Sequence, residues 1–443
     1  MKKLFALFLA FALVFLTACN TNPPIGTNAD GSTASGSQGG NNGGTTNNGG
    51  TTNNDGATNN GGNSQKWDWM PLQGQLFSFN GNLLEIPSRI FFSDRIENTE
   101  KRFYYYSKAD GNAYVYCFDP ICNHTDYTCL GNPMLTSANS GFFDVNRVHF
   151  INNRFYCVHS YGKIYSFAFD GTDKKLEYDA KYYTDVWGGG MAYGPYIYID
   201  SSAEAEADHI LRFNVETKEM EDLTEKTGNF VYPHFFYNGM LYGTGDGFET
   251  GDTFFKADLD LNTVEEISSA LIPMELCSGN IFVGIATKAR ESITEAVKKI
   301  GISFYDLETG EQRIVTKEEL GLDFYPVFLT ATDEHFYFYN PKMTYLGKYT
   351  INSGGKEYTR EKNKASGTLY RMDRDGTNIV CVYDNPEYEL GLEAIIYDDK
   401  IVMKGQYIKI EDGQLKTWGG PIQVATINPD GTIGEFVEVE VLQ

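Results

Sequence analysis

The sequence predicts an all-β fold, a seven-bladed β-propeller, from its composition and from a two-part signature that recurs along the chain. The 443 residues include 30 Tyr, 30 Phe and 46 Gly but only 4 Trp. Aromatic residues favour strands, and glycines favour the tight turns that join them. Because pairs of short strands recur every ~40 to 65 residues, the repeat predicts the blades of a propeller.

The first part of the signature is a short aromatic or aliphatic strand that ends in a polar residue. It occurs at 89–94 (RIFFSD), 154–159 (RFYCVH), 196–200 (YIYID), 240–244 (MLYGT), 281–286 (IFVGIA), 335–340 (HFYFYN) and 400–405 (KIVMKG). The second part alternates apolar and polar residues into a turn. It occurs at 113–119 (AYVYCFD), 163–171 (KIYSFAFDG), 209–217 (HILRFNVET), 253–260 (TFFKADLD), 302–310 (ISFYDLETG), 368–376 (TLYRMDRDG) and 422–431 (IQVATINPDG).

These repeats predict seven blades, because two antiparallel strand pairs are the content of one blade. A further strand joins each unit after its Asp-Gly or similar turn, as at 175–178 and 379–383. Six or eight blades are the alternatives, since the first repeat is irregular and the strand at 76–86 either closes the ring or lies outside it.

The first nineteen residues have the three parts of an export signal. Lys2 and Lys3 precede an apolar run at 4–16, and small residues lead to Cys19 (LTAC). The run is shorter than the ~20 residues that span a bilayer. We therefore predict a lipoprotein signal peptide at 1–18 and lipidation of Cys19. An ordinary secretory signal with an incidental cysteine is the alternative.

A spacer of Gly, Asn, Thr and Ser follows the cysteine. Residues 20–65 contain only Asp30 and Asp55 as charged residues and no apolar run that could enter a core. We predict a lipidated cysteine and flexible linker at 19–66 and the propeller domain at 67–443. Acyl chains would hold the exported protein on the outer face of the cell membrane.

The pairing of strands such as RIFFSD or YIYID with strands such as TLYRMDRDG resembles the propellers of the YWTD and TolB-like groups. The combination of signal, spacer and tyrosine-rich blades with a Cys/His insert is similar to uncharacterised surface lipoproteins of anaerobic Gram-positive bacteria. This resemblance implies a bacterial surface lipoprotein with a propeller fold, and it implies no activity.

Cys117, Cys122, His124 and Cys129 form a cluster within the sequence CFDPICNHTDYTC. Three thiolates and one imidazole are the ligand set of a closed tetrahedral zinc site, which predicts a structural zinc ion here. Exported cysteines also form disulfides, with Cys157 as a further partner, and disulfides are the alternative. Four protein ligands would leave no open position for a catalytic water.

The net charge of the chain and one basic segment limit the kinds of partner that it can bind. The formal net charge of −23 repels a phosphate backbone and excludes nucleic acid as a partner. Residues 342–364 carry six Lys or Arg against two Glu, which predicts a basic surface loop. Acidic pairs such as Asp373 and Asp375 lack the six to eight oxygen ligands of calcium and are explained by hairpin turns.

The sequence supports two functional hypotheses, a binding module and an enzyme. The favoured hypothesis is a binding or scaffolding module that uses loops at one mouth of the ring to hold a surface protein, a peptide or a glycan. The chain has no Gly-x-Ser-x-Gly elbow, His-Glu-x-x-His motif or phosphate-binding loop, which disfavours catalysis. The alternative is an extracellular polysaccharide hydrolase or lyase, which requires paired carboxylates ~5 to 10 Å apart at the propeller channel.

Overall fold

The computed structural model of the chain describes residues 83–95, 101–117, 148–158, 163–179, 191–202, 208–227, 231–245, 253–268, 271–288, 298–341, 343–353, 356–365, 367–385, 390–391, 394–411 and 413–442. The chain divides into two compact units, Lys66–Ile351 with Thr359–Gln443 and Met1–Gln65 with Asn352–Tyr358. The first unit contains the propeller. Among the described residues the only helical segment is α1 (Thr224–Thr227), and no described helix is long and apolar enough to cross a bilayer.

Seven antiparallel sheets follow one another along the chain, and each is one blade of four strands. Blade 1 is β1 (Leu83–Ile86), β2 (Arg89–Arg95), β3 (Lys101–Ser107) and β4 (Ala113–Val115). Blade 2 is β5 (Val148–Ile151), β6 (Arg154–Val158), β7 (Lys163–Ala168) and β8 (Lys175–Asp179). Blade 3 is β9 (Met191–Tyr193), β10 (Tyr196–Ser202), β11 (Asp208–Asn214) and β12 (Met220–Asp222). Blade 4 is β13 (Val231–Tyr237), β14 (Met240–Gly245), β15 (Thr253–Asp258) and β16 (Val264–Ser268).

The remaining blades keep this order, with one insertion. Blade 5 is β17 (Leu271–Ser278), β18 (Ile281–Lys288), β19 (Lys298–Asp306) and β20 (Gln312–Val315). Blade 6 is β21 (Val327–Ala331), β22 (His335–Tyr339), β25 (Thr368–Asp373) and β26 (Val380–Asp384), with the hairpin β23 (Met343–Ser353) and β24 (Lys356–Ala365) inserted between its second and third strands. Blade 7 is β27 (Ala394–Tyr397), β28 (Lys400–Glu411), β29 (Gln414–Thr426) and β30 (Val437–Val439), and β31 (Val441–Leu442) follows it.

The predicted seven blades are confirmed. The first part of the repeat signature forms the second strand of every blade, and the second part forms the third strand in blades 2 to 7. Blade 1 is the exception, because residues 113–119 include its fourth strand, β4. Its third strand is β3, and the sequence of this strand, KRFYYYS, is not part of the predicted repeat signature.

Each seam between neighbouring blades is filled by apolar side chains. In the described part of the chain seven hydrophobic clusters occur, one at each seam. At the seam of blades 6 and 7, for example, Leu329 and Leu369 pack with Ile401 and Ile433, which are all buried. Removal of this apolar surface from water is the main force that holds blade to blade.

The ring closes between blades 7 and 1. Phe92 and Tyr104 of blade 1 pack with Val402 and Ile422 of blade 7 in one buried cluster. The last strand, β31, then pairs in parallel with β4 at the outer edge of blade 1. The closing contact is therefore apolar packing reinforced by a short strand, and β1 serves as the first strand of blade 1 rather than as a strand outside the ring.

The two faces of the ring carry different connections. Consecutive strands run in opposite directions, so the connections of strands 1 to 2 and 3 to 4 leave at one face, which we call the turn face. The connections of strands 2 to 3 and of one blade to the next leave at the other, the loop face. The turn face carries short turns, all of which the structure describes.

Two long hairpins also leave from the loop face. The sequence predicts a basic surface loop at 342–364, and this prediction is wrong in part. The segment includes the paired strands β23 and β24, because its Thr- and Tyr-rich sequence favours strands. In blade 7, β28 and β29 have 12 and 13 residues, and their pairing continues from the blade to Glu411 and Gln414. The backbone N–H of Thr350 donates to the carbonyl of Gly413 at 2.7 Å and joins the two hairpins.

Aspartates hold the turns between third and fourth strands. In the Asp-Gly-Thr turns of blades 2, 6 and 7, the carboxylates of Asp170, Asp375 and Asp430 each accept a hydrogen bond from the backbone N–H of the threonine at 2.9 Å. The threonine hydroxyls donate to the same oxygens, and these bonds lower the pKa of all three carboxyls. The prediction that such acidic residues serve hairpin turns is confirmed.

Replacement of Val441 by Ala should lower the free energy of unfolding by about 1 kcal/mol, because the half-buried Val441 packs into the closing cluster. Leu442→Ala is the matched control, since Leu442 is 40% exposed and should cost little. Urea unfolding followed by tryptophan fluorescence measures both. Equal losses for the two variants would contradict ring closure through Val441.

The aspartate turns predict acid sensitivity with a defined sign. Their folded-state pKa values lie below the ~3.9 of an unfolded chain, so their stabilisation is complete above about pH 5 and is lost as the pH falls through the folded-state values. Asp170→Asn with Asp375→Asn should flatten the decline of the free energy of unfolding below about pH 5, because Asn accepts the same bonds without titrating. An unchanged slope in urea titrations across this pH range would refute the assignment.

Candidate functional site

One member of the predicted Cys/His cluster lies in the described part of the chain. Cys117 follows β4 and is half-buried. The other predicted site residues fall outside the described residues: Cys19, Cys122, His124 and Cys129. The structural zinc ion and the alternative disulfide pairings, including those with Cys157, therefore stay predictions.

The first strands of the blades contact one another around the ring and lie innermost. Among their described side chains the only carboxylate is Glu85, which forms an ion pair with Lys108. His149 and His234, on the first strands of blades 2 and 4, are buried. The described side chains of these strands thus provide no carboxylate pair of the kind that the polysaccharide-cleaving alternative requires.

On the turn face, blades 1 and 3 reach across the seam to the turn of the next blade. The hydroxyl of Tyr116 in blade 1 donates to the carbonyl of Phe169, the first turn residue between β7 and β8. In blade 3, the hydroxyl of Tyr198 and Nη1 of Arg212 both donate to the carbonyl of Leu259 at 2.7 Å. Leu259 holds the same turn position in blade 4 as Phe169 in blade 2.

The Tyr198–Arg212 pair acts as a clamp on that turn. The two residues face each other on β10 and β11. Arg212 also donates to Asp260 of the clamped turn and to Glu221 of its own blade, both at 2.6 Å. Burial alone would lower the pKa of Arg212, but its hydrogen bonds with Asp260, Tyr198 and Glu221 raise it. The clamp therefore keeps its charge and closes the seam between blades 3 and 4.

Blade 6 carries the same pair, but its clamp is open. Tyr337 on β22 and Arg371 on β25 face each other at the positions of Tyr198 and Arg212. Pro429 in blade 7 holds the position of Leu259. Within the described chain neither Tyr337 nor Arg371 donates to the Pro429 carbonyl, and Nε of Arg371 is buried with no partner.

Gly431 brings the open clamp against the turn of blade 7. Its φ is +82°, and a Cβ atom there would lie 1.8 Å from Nη1 of Arg371. A side chain at this position would displace the guanidinium and would strain the backbone. The glycine thus lets the Arg371 guanidinium lie against the turn, with which it makes no hydrogen bond in the described part of the chain.

The open clamp faces a groove, which we call the blade 6–7 groove. Its volume is about 620 Å³, within the ~300 to 1,000 Å³ of sites for small ligands. Tyr337 and Arg371 form part of its lining, and Ile396 and Ile427 provide an apolar wall. The tight turn at 332–335 forms the opposite side, where the Thr332 hydroxyl accepts the backbone N–H of His335 at 3.1 Å.

The groove combines one cation with several carboxylates. Arg371 is surrounded at the rim by Asp333, Glu334, Asp398 and Asp430. Burial lowers the pKa of His335, and the Arg371 cation lowers it further, which favours the neutral imidazole. The groove therefore offers hydrogen-bond donors from its clamp and a net negative charge at its rim.

Reasoning from the sequence missed this groove, although the repeats contain its signal. In the aligned repeats of blades 3, 4 and 6 the third residue of the first part is Tyr, and the fourth residue of the second part is Arg212, Lys256 or Arg371. The alignment thus indicates a recurrent Tyr–cation pair. Which of the pairs is open depends on the turn of the next blade and is visible only in the structure.

Seven consecutive four-stranded sheets define the class of the chain as a seven-bladed β-propeller. No protein-family model and no curated protein matches it. Similar solved structures include an oligogalacturonate lyase from Vibrio parahaemolyticus, 9% identical over 82% of this chain and 91% of that chain with a TM-score of 0.41. An oligogalacturonate lyase in complex with manganese is 10% identical over 82% and 90% with a TM-score of 0.45. TolB from Acinetobacter baumannii is 9% identical over 80% and 79% with a TM-score of 0.29. Likenesses this distant assign no activity.

Arg212→Met should lower the free energy of unfolding by about 2 kcal/mol, because it removes buried, charge-assisted hydrogen bonds to the next blade. Arg371→Met is the matched variant and should cost less than about 1 kcal/mol, since Arg371 makes no bond to blade 7 within the described chain. Urea denaturation of both variants measures the difference. Equal losses of unfolding free energy would show that the two clamps contribute equally to stability and would contradict the open clamp in blade 6.

Proposed function

We propose that the chain is a lipid-anchored, surface-displayed β-propeller that acts as a binding or scaffolding module for a protein, peptide or glycan ligand. One observation carries this proposal: the Tyr337–Arg371 clamp faces a groove of about 620 Å³ instead of the turn of the next blade. In blade 3 the same pair of side chains holds a carbonyl and a carboxylate.

The clamp is organised for binding before a ligand arrives. Tyr337 is 3% exposed and Arg371 lies on the adjacent strand, so both side chains are placed by the sheet rather than by a loop. Donors held rigidly lose little conformational freedom when a ligand binds, which favours affinity. A ligand with an acceptor oxygen would complete the bonds that Leu259 makes to the corresponding pair in blade 3.

The joined hairpins support the scaffolding part of the proposal. The extension of β28 and β29 beyond the blade covers about six residues per strand, or ~20 Å at 3.3 Å per residue. Its bond from Thr350 to Gly413 ties it to β23 of the neighbouring blade. The hairpins leave from the loop face, whereas the groove opens on the turn face, so two surfaces are available to partners.

The membrane part of the proposal rests on Cys19. Acylation of the exported cysteine would hold the wild-type chain in the membrane fraction, because several acyl chains bind a bilayer firmly. Cys19→Ser should release the chain into the soluble exported fraction. Fractionation with immunoblotting and mass spectrometry of the mature N-terminus measure this. A Cys19→Ser chain that stays with the membrane would contradict the anchor.

Binding at the groove is tested with the full-length chain, a phage library of random peptides and a glycan array. Ligands selected on the wild type should bind Arg371→Met at least ~10-fold more weakly, because a charge-assisted hydrogen bond to a ligand contributes ~1.5 to 3 kcal/mol. Lys256→Met is the matched control, since Lys256 occupies the same position in blade 4 and lies outside the groove.

Ligands that bind wild type, Arg371→Met and Lys256→Met equally would overturn the assignment of the groove. Fluorescence anisotropy with the selected ligands provides the affinities. Circular dichroism of each variant verifies that the sheet content is unchanged.

A further inference from the structure

The geometry points to a cationic peptide segment as the ligand of the blade 6–7 groove, with a main-chain carbonyl on Arg371 and a Lys or Arg side chain at the rim. This inference rests on the proposed function and names the ligand class for the same site. It follows from two independent features of the groove, the open clamp and the rim charges.

The clamp determines the class of acceptor. Its counterpart in blade 3 binds a peptide carbonyl, that of Leu259, through Tyr198 and Arg212 at the same 2.7 Å distance. Because Tyr337 and Arg371 occupy the same register positions, they present the same pair of donors. A backbone carbonyl of a bound segment is the group that reproduces this contact.

The rim determines the charge of the ligand. The carboxylates of Asp333 and Asp398, both exposed, have no hydrogen-bond or ion-pair partner within the described chain. Glu334 and Asp430 add further negative charge, whereas Arg371 is the only Lys or Arg of the lining. A ligand with an acidic side chain would be repelled at the rim, and a cationic side chain would be attracted.

The walls limit the size of the ligand. A volume of about 620 Å³ accommodates a segment of a few residues rather than a folded domain. Ile396 and Ile427 provide apolar surface for the aliphatic stem of a Lys or Arg side chain, whose charged end reaches the rim. The peptide backbone would thus bind the clamp, the aliphatic stem would pack on the apolar wall, and the cation would lie near the rim carboxylates.

The experiment is a selection of random hexapeptides on the full-length chain, with counter-selection on Arg371→Met to remove peptides that bind elsewhere. The selected pool should be enriched severalfold in Lys and Arg over the input library and depleted in Asp and Glu. Synthetic peptides from the pool are then compared with versions in which Lys is replaced by Gln or Glu.

Asp333→Asn with Asp398→Asn should weaken the Lys peptides roughly three- to tenfold and leave the Gln versions unchanged, since exposed ion pairs are individually weak. Glu219→Gln with Glu311→Gln is the matched control, because it removes two exposed carboxylates from turns of blades 3 and 5. This control should bind like the wild type.

Several outcomes would overturn the inference. If the selected peptides are acidic or neutral, or if the rim variant and its control behave alike, the cationic ligand is wrong. If only glycans bind in an Arg371-dependent way, the peptide class is wrong while the binding function stands. If neither peptides nor glycans depend on Arg371, the inference and the proposed groove function fail together.

Discussion

The contact between one blade and the third-to-fourth-strand turn of the next blade, made by blades 1 and 3 and left open by blade 6, organises the turn face of this propeller. Asp170 and its equivalents bind the turn's own N–H and hydroxyl groups, so each turn is rigid before it meets its neighbour. The first carbonyl of the turn is then available across the seam. The carbonyl of Phe169 accepts a hydrogen bond from Tyr116, and the carbonyl of Leu259 accepts hydrogen bonds from Tyr198 and Arg212 of the preceding blade.

One seam is able to leave its clamp open because other contacts hold it. Between blades 6 and 7 a buried cluster that includes Leu329, Leu369 and Ile401 supplies the apolar packing. The backbone N–H of Ile433 also donates to the carbonyl of Val382 at 2.8 Å and ties the outer part of blade 7 to blade 6. The Tyr337–Arg371 pair is therefore not needed to join the blades, and its donors are free for a ligand. The proposed binding site therefore has the same two donor side chains as the clamp of blade 3, without the hydrogen bond to the turn of the next blade.

The fold was largely predictable from the sequence, whereas the site was not. Second strands such as β22 and turns such as Asp375-Gly376 carry strong local patterns, namely alternation and residues that favour tight turns. First strands such as β21 (VFLTA) were missed, since a short apolar run buried on both sides has no alternation. The groove was missed because it depends on the distance between residues of two blades, and Arg212 and Arg371 look alike in the repeat.

The most direct test of this account is a pair of double-mutant cycles across the two seams, measured as free energies of unfolding. The first combines Arg212→Met with Asp260→Asn, and the second combines Arg371→Met with Asp430→Asn. The account predicts a coupling energy of about 1 to 2 kcal/mol for the first pair, where guanidinium and carboxylate are 2.6 Å apart. For the second pair it predicts less than about 0.5 kcal/mol. Equal coupling at both seams would show that both clamps are closed and would contradict the open site between blades 6 and 7.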